Sequence, residues 1–469
     1  MSDGRRQHLL QVLERAGQRH LFDALESLDA SMQPDFVRQL ESLDWDEMRS
    51  LAALIAAPKS GGSPDLAPAP GLQKGKDPAK DAAARERGEA LLRSGRAAAF
   101  VVAGGQGSRL GFEGPKGLYP ATPIRRRSLF EVFAAKLAAL GRRYGHPIPW
   151  YLMTSDTNHD ATRRWFEEKG YLGLDPQNVR FLQQDMLPAM DARGRVLCSA
   201  PGSLFLSPNG HGGSLLALLR SGALDDMKRR GIEQIFYFQV DNPLVEICDP
   251  IFLGLHDLEG AEMSSKVVEK RDAAEKVGVV GLIGGRYGVI EYSDLSDSER
   301  NARDAAGVLR FKDGNIAVHA IRRDFVESLT AGGRLELPYH LARKAIPCID
   351  PESGLPGRVD GVKFETFVFD ALSFCRRSVV LRVDRSREFA PIKNASGEDS
   401  PETSSLAQSR LFADWLEAAG VPVPRDAAGQ PLVPIEIDPL FADNAEALRQ
   451  RLAGSSAEIR VSEAPLVLE

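Results

Sequence analysis

The spacing of apolar positions changes character along the chain. From residue 5 to 57 apolar side chains recur every three to four positions: Leu9, Leu10, Val12 and Leu13, then Leu21, Leu25 and Leu28, then Phe36, Leu40 and Leu43. That period predicts a run of helices. Asp44, with Glu47 three residues on, predicts the capping box of the next helix. Its apolar face is Met48, Leu51, Leu54 and Ile55, and it should stop before Pro58. Residues 58 to 80 are rich in Gly, Pro, Ser and Lys and read as a linker or arm; Ala82 to Arg93 reads as a charged helix.

From Ala97 the pattern switches to short continuous apolar runs alternating with amphipathic segments. Strands are expected at 97–103, 150–154, 179–183 and 234–240. Helices are expected at 128–140 with Ser128 as cap, at 158–169 and from 214 to 221. This alternation predicts an α/β sheet with crossover helices. The segments 265–269, 277–283 and 287–292 are shorter and more alternating, which adds a mixed or antiparallel portion. Beyond about residue 396 the pattern is loop-rich with short β character and one helix at 444–452. Three consecutive parts follow: an N-terminal helical segment with linker (1–95), a central domain (96–395) and a C-terminal domain (396–469).

Composition narrows the function classes. The 469 residues are 43% hydrophobic and 26% charged, with a formal net charge of −6, an ordinary globular balance without a nucleic-acid or membrane-surface signature. Cys198, Cys248, Cys348 and Cys375 are scattered and form no C-x-x-C pair, which argues against zinc and disulfides and for a reducing compartment. The first residues lack a signal-peptide core, and no run approaches eighteen apolar residues, so a cytoplasmic protein is expected.

The chemistry concentrates where apolar runs end. Residues 97–103 run straight into Gly104, Gly105 and Gly107, with Arg109 and Lys116 close behind. A buried strand, a glycine turn that permits positive φ and close backbone approach, and two cations make a phosphate cradle. A dinucleotide fingerprint would need glycine at Leu110, and a Walker A loop would need Ser or Thr after Lys116, where Gly117 stands. Thr154-Ser155, Gln183-Gln184-Asp185 and Asp241-Asn242 likewise follow strands, as ligand residues do in open α/β sheets. Asp241 is the best-placed metal carboxylate, with a turn or helix cap as the bland alternative. Residues 207–213, Ser-Pro-Asn-Gly-His-Gly-Gly, form a second glycine loop before a helix, where the two glycines should leave the His211 imidazole little steric cover. Glu291 beside Tyr292, and Asn315, offer a carboxylate, an aromatic and an amide suited to sugar hydroxyls. Phe367 and Phe369 lie in a β-like aromatic stretch, where core packing competes with a sugar-facing role, and Lys393 sits in a proline-containing turn.

Taken in order, these stretches resemble the UDP-N-acetylglucosamine pyrophosphorylase and UDP-sugar pyrophosphorylase family, from about Glu89 to Thr403. The loop Gly-Gly-Gln-Gly-Ser-Arg-Leu-Gly with Pro115-Lys116-Gly117, Val240-Asp241-Asn242, Gly314-Asn315-Ile316-Ala317 and Pro391-Ile392-Lys393-Asn394 carry the likeness. The resemblance implies a glycosyltransferase-A-like nucleotide-binding central domain with a mixed sheet, flanked by the N-terminal helices and a small C-terminal domain. It implies UTP and a sugar-1-phosphate as substrates and Mg²⁺ as cofactor. By position, Ala103, Gly104, Gly105, Gln184 and Gly210 would hold the nucleotide, and Arg109, Lys116 and Lys393 the phosphates. Asp241 would hold the metal, and His211, Gly278, Glu291, Tyr292, Asn315, Phe367 and Phe369 the sugar. Members specific for N-acetylhexosamine tend to carry asparagine where His211 stands, and relatives using glucose-1-phosphate or several sugars tend to carry histidine. The resemblance therefore favours N-acetylglucosamine-1-phosphate, with glucose-1-phosphate or broad specificity as the alternative. A nicotinamide oxidoreductase and an idle sugar-nucleotide sensor are the rival classes.

Overall fold

The computed structural model describes residues 2–57, 65–292, 294–454, 459–462 and 464–469. Its contacts divide the chain into two compact units, each assembled from separated stretches.

The first unit takes Met1–Ser63, Gln184–Gly213 and Leu337–Val368. Four helices, Asp3–Arg15, Arg19–Ser27, Gln33–Glu41 and Trp45–Ala56, fulfil the three-to-four spacing. Asp44 caps the last of them by accepting from the Asp46 and Glu47 amides, and the helix ends before Pro58 as expected. Their apolar faces (Leu13, Leu21, Leu25, Phe36, Leu40 and Leu51) share a core with Leu187, Met190, Val196, Leu204, Val362 and Phe364. Those partners belong to a five-stranded antiparallel sheet, to the bridge at Val196 and, for Leu187, to a separate two-stranded sheet. The larger sheet is built on the long hairpin of His340–Ile349 and Pro356–Glu365. Two glutamines, Gln18 buried and Gln39 half-buried, tie the helices to the segments beneath them. Gln18 donates to the Gly194 carbonyl at 2.8 Å and accepts from the Val196 amide at 2.8 Å. Gln39 accepts from the Leu204 amide at 2.9 Å.

The second unit holds an eleven-stranded mixed sheet. Along its main path the order is Leu72–Gln73, Val380–Val383, Met263–Glu269, Asp313–Arg322, Gln234–Gln239, Ala97–Val102, Trp150–Thr154 and Val179–Gln183. The last four run parallel. Asp313–Arg322 runs antiparallel to both of its neighbours, so the mixed portion lies where the alternating segments predicted it. The chain leaves Ala97–Val102 in one direction for 150–154 and 179–183, then returns to its other side at 234–239. That reversal opens a crevice at the carboxyl ends of the 97–102 and 234–239 strands. The helix Leu129–Tyr144, fixed by the Ser128–Glu131 capping box, packs on this sheet through Phe130 and Phe133. Phe133 meets Phe238 edge-on at 5.2 Å. Helices Pro78–Arg93 and Pro250–Leu258 approach so closely that a Cβ on Gly88 would lie 1.9 Å from the Pro250 carbonyl oxygen.

Several expectations need correcting. The stretch read as a linker holds two short strands, Leu66–Pro68 and Leu72–Gln73, both paired to the sheet, and the next helix already starts at Pro78; residues 58–64 lie outside the described residues. The tail carries an eighteen-residue helix, Pro401–Ala418, besides the expected one at Ala445–Ala453. Ser400 caps it with Pro401 at its first position, a start signal that a loop-rich reading passes over. The β-like stretch ends at Glu365, and Val368–Phe374 turns into a 3₁₀ helix. Among the described residues, no helix is long and apolar enough to cross a membrane.

Candidate active site

The first glycine loop is a folded-back Ω shape rather than a simple turn. Gly107 N donates to Gly114 O and Lys116 N to Gly105 O, both at 3.0 Å, so the loop returns Lys116 to its own beginning. The glycines act differently from the expectation. Positive φ falls at Gly111 and Gly114, at 65° and 125°, not at Gly104, Gly105 or Gly107. Gly107 is required because a Cβ there would lie 2.7 Å from Phe112. Gly105 is exposed and a Cβ would meet no atom within 4 Å, so its bare backbone faces open space. Ala103 is buried, its amide donating to Met153 O at 2.7 Å.

Asn158, which the sequence reading placed only at a helix start, pins this loop from below. Its buried side-chain amide donates to the carbonyls of Ala103 at 3.0 Å and Gly105 at 3.4 Å, and its Oδ1 accepts from Ser155 N at 2.8 Å. Arg109 is exposed on the short 3₁₀ turn Ser108–Leu110. Lys116 starts the next such turn, and its Nζ lies 3.6 Å from the Asp241 carboxylate, with both side chains about 15% exposed or less. The pair thus joins the ends of the two strands that flank the topological reversal.

Asp241 opens a loop held on several sides. Its carbonyl accepts from Ile392 N at 2.8 Å, which places Lys393 one residue away. The buried Asn242 donates to Glu388 O at 2.7 Å and accepts from Leu244 N and Ala390 N. Lys136 Nζ donates to Pro243 O at 2.6 Å and Val245 O at 2.9 Å; burial brings its pKa down to about 8 against the opposing pull of Glu246 and Glu388. Lys393 contacts Asp399 at 3.7 Å and lies over the Phe389 ring at 5.4 Å.

A three-carboxylate cluster, Glu246, Asp249 and Glu388, lies near this loop in the chain and has ligand atoms within 4.8 Å of one another. It already contains its cations. Lys74 reaches all three, and the fully buried Lys266 pairs with Asp249 at 2.7 Å and with Glu388. Burial alone would raise the Asp249 carboxyl; Lys266 and Lys74 hold it below the ordinary carboxylate range. These acids balance ammonium groups, so they do not fit a metal site. Asp241 does fit one: a single partly exposed carboxylate at a strand end suits Mg²⁺, which keeps several waters and takes phosphate oxygens.

In the same unit, Gly278, Glu291 and Asn315 come together. Asn315 N donates to Gly278 O at 2.8 Å, and a Cβ on Gly278 would lie 3.3 Å from the Glu291 carboxylate. Asn315 sits at a bulge where the register against Met263–Glu269 jumps, with Ala317 at φ 54°. Bulges re-aim side chains beside functional sites. Tyr292 is 38% exposed, and Phe369 is buried on the Val368–Phe374 turn.

In the other unit, the second glycine loop is locked by its own backbone. Gly210 has φ 79°, and a Cβ there would lie 2.3 Å from Thr366 O. Gln184 donates to Gly210 O at 2.7 Å and to Asn209 Oδ1 at 3.2 Å, so the two residues expected at the base are joined. Contrary to the expectation of little steric cover, the His211 ring stacks on Phe367 at 5.2 Å, and Phe367 stacks on His340 at 4.3 Å. His211 Nδ1 accepts the Val368 amide at 3.2 Å. Burial, with some help from His340, lowers its pKa to about 4. The imidazole is therefore neutral at pH 7, with its proton on Nε2.

Residues 76–436 match the family model described as UTP–glucose-1-phosphate uridylyltransferase. The chain is 34% identical over 490 residues to the human UDP-N-acetylhexosamine pyrophosphorylase-like protein 1, covering 97% of this chain and 96% of that one. It is 35% identical over 433 residues to the UDP-N-acetylglucosamine pyrophosphorylase of Saccharomyces cerevisiae, covering 87% and 91%. The crystal structure of uridine diphosphate N-acetylglucosamine pyrophosphorylase from Trypanosoma brucei, in complex with inhibitor, superposes with a TM-score of 0.82 at 25% identity, covering 100% and 99%.

Proposed function

The chain belongs to the UTP–glucose-1-phosphate uridylyltransferase family, and from that premise we propose that it makes a UDP-sugar and pyrophosphate from UTP and N-acetylglucosamine-1-phosphate. The Lys116–Asp241 pair carries the reading: a cation from the glycine loop and a carboxylate from the next strand end lie 3.6 Å apart at the topological reversal. The sugar phosphate is already an anion, so attack on the α-phosphorus needs no general base. The bond from the α-phosphorus to its bridging oxygen breaks as the new one forms, and pyrophosphate leaves. Catalysis reduces to positioning and charge neutralisation.

Arg109 and Lys116 neutralise the triphosphate. Lys393 offsets the repulsion between the two anions. Asp241 would hold Mg²⁺, which when bound supplies further neutralisation of the phosphates. By the resemblance, Ala103, Gly104, Gly105, Gln184 and Gly210 take the nucleotide. His211, Gly278, Glu291, Tyr292, Asn315, Phe367 and Phe369 take the sugar.

The second reading is glucose-1-phosphate. It is favoured by His211 standing where N-acetylhexosamine-specific relatives tend to have asparagine. Pyrophosphate release from UTP and Mg²⁺ with N-acetylglucosamine-1-phosphate, glucose-1-phosphate and N-acetylgalactosamine-1-phosphate in parallel tests both. Preference for the acetamido sugars is the expected result, preference for glucose-1-phosphate supports the second reading, and no release with any sugar overturns both.

A further inference from the structure

We propose that Asn242 is a positioning residue that sets the spacing between Asp241 and Lys393; this rests on the roles given to those two residues above. The two segments that carry them come from different stretches of the unit's sequence, and the Asn242 side chain bonds to both. Its Nδ2 donates to Glu388 O at 2.7 Å. Its Oδ1 accepts from Ala390 N at 3.1 Å and from Leu244 N at 3.2 Å, the second bond being an Asx turn within its own loop. The side chain is 4% exposed, so these bonds do not compete with water. One further bond, Ile392 N to Asp241 O at 2.8 Å, completes the seam one residue before Lys393.

Both sides of the seam are braced from behind. Lys136 holds the carbonyls of Pro243 and Val245. On the other side, Glu388 is tied by Lys266 and Lys74, and the Ala390 carbonyl accepts from Ser404 Oγ at 2.8 Å. With both flanks fixed, the Asn242 amide determines how far apart the backbones of Asp241 and Lys393 stand. Asp-Asn at a strand end is common as a turn; here the asparagine makes the turn and also bridges a segment about 147 residues later.

Two measurements on Asn242→Ala, with Asn242→Ser as the milder replacement should the first variant not fold, test the proposal. The first needs no activity: amide hydrogen exchange at Ile392, whose N–H bonds to Asp241 O and not to the Asn242 side chain, should quicken by about tenfold or more if the side chain holds the seam. Unchanged protection at Ile392 overturns the inference whatever the enzyme does. The second is pyrophosphate release. Here kcat should fall roughly 10–100-fold with KM for UTP within about twofold, while on a Lys393→Ala background the same change should cost less than about threefold. Equal losses on both backgrounds would mean a merely structural role and overturn the proposal. Wild-type protein that releases no pyrophosphate would instead overturn the assigned activity, while the exchange result still decides the seam.

Discussion

Lys116 Nζ stands 3.6 Å from the carboxylate of Asp241, though 125 residues separate the two in the chain. The contact exists because adjacent parallel strands deliver the two loops to one edge of the sheet. A partly covered ammonium beside a partly covered carboxylate is a poised pair: an incoming phosphate draws the first, and a cation the second.

Replacing either partner should therefore stop the chemistry without unfolding the protein. Lys116→Ala and Asp241→Asn should each lower turnover by roughly 10²–10³, with thermal unfolding shifted by only a few degrees. Arg109→Ala should behave similarly. Near-full turnover in any of the three would remove that residue from the mechanism.

The glycines of the first loop should separate into two classes. A Cβ at Gly105 meets nothing within 4 Å, so Gly105→Ala should keep wild-type stability and raise KM for UTP as the methyl enters the space proposed for the nucleotide. At Gly107 the Cβ would lie 2.7 Å from Phe112, so Gly107→Ala should destabilise the protein, by about 1–3 kcal/mol as overpacking usually does. Denaturant melts beside UTP titrations distinguish them. A stable Gly105→Ala with unchanged KM would show that no ligand passes there.

His211 gives a pH signature. Its pKa, about 4 when folded and 6.5 in a free chain, means the unfolded state binds the proton more readily between those values. The stability contributed by the neutral ring is present above pH 6.5 and lost as pH falls toward 4. Imidazole NMR should show the depressed titration directly, and His211→Asn should flatten that part of the stability profile. His256, buried and lowered to about 3, contributes in the same direction and would remain in the variant. A His211 titrating near 6.5 would contradict the stacked, covered ring.

Gln18 should matter for stability alone. Removing its amide leaves Gly194 O and Val196 N without their partner, a loss of about 1–3 kcal/mol. Urea unfolding of Gln18→Ala measures it, and unchanged kcat is expected beside it.

Much of the α/β order was legible because buried strands and capped helices are written locally, as Val179–Gln183 and the Ser128–Glu131 box show. The glycine turn after Ala97–Val102 was legible for the same reason, though not the division of labour among its glycines. Gly107 answers to Phe112, a contact that appears only after the loop has folded back. Asn158, Asn242, Lys74 and Lys266 were illegible because their partners lie far away in sequence and an asparagine or lysine looks alike on a surface or in a seam. Helix Pro401–Ala418 is different: Ser400-Pro401 and the spacing of Leu411, Trp415 and Leu416 were there to be read.

The hairpin of His340–Glu365 gives the first unit its floor, yet it is made long after the helices that rest on it. During synthesis the helices ending at Ala56 precede His340 by about 280 residues, roughly 15–60 s at 5–20 residues per second. Through that interval Leu21, Leu25, Phe36 and Leu40 lack the hairpin at the centre of their sheet, and the second unit's parallel strands at 97–183 are already made. The nascent chain therefore closes its first-made part only after most of the second unit's sheet has been made. Shielding of that apolar face by chaperones would be most useful while the ribosome is still reading the middle of the message.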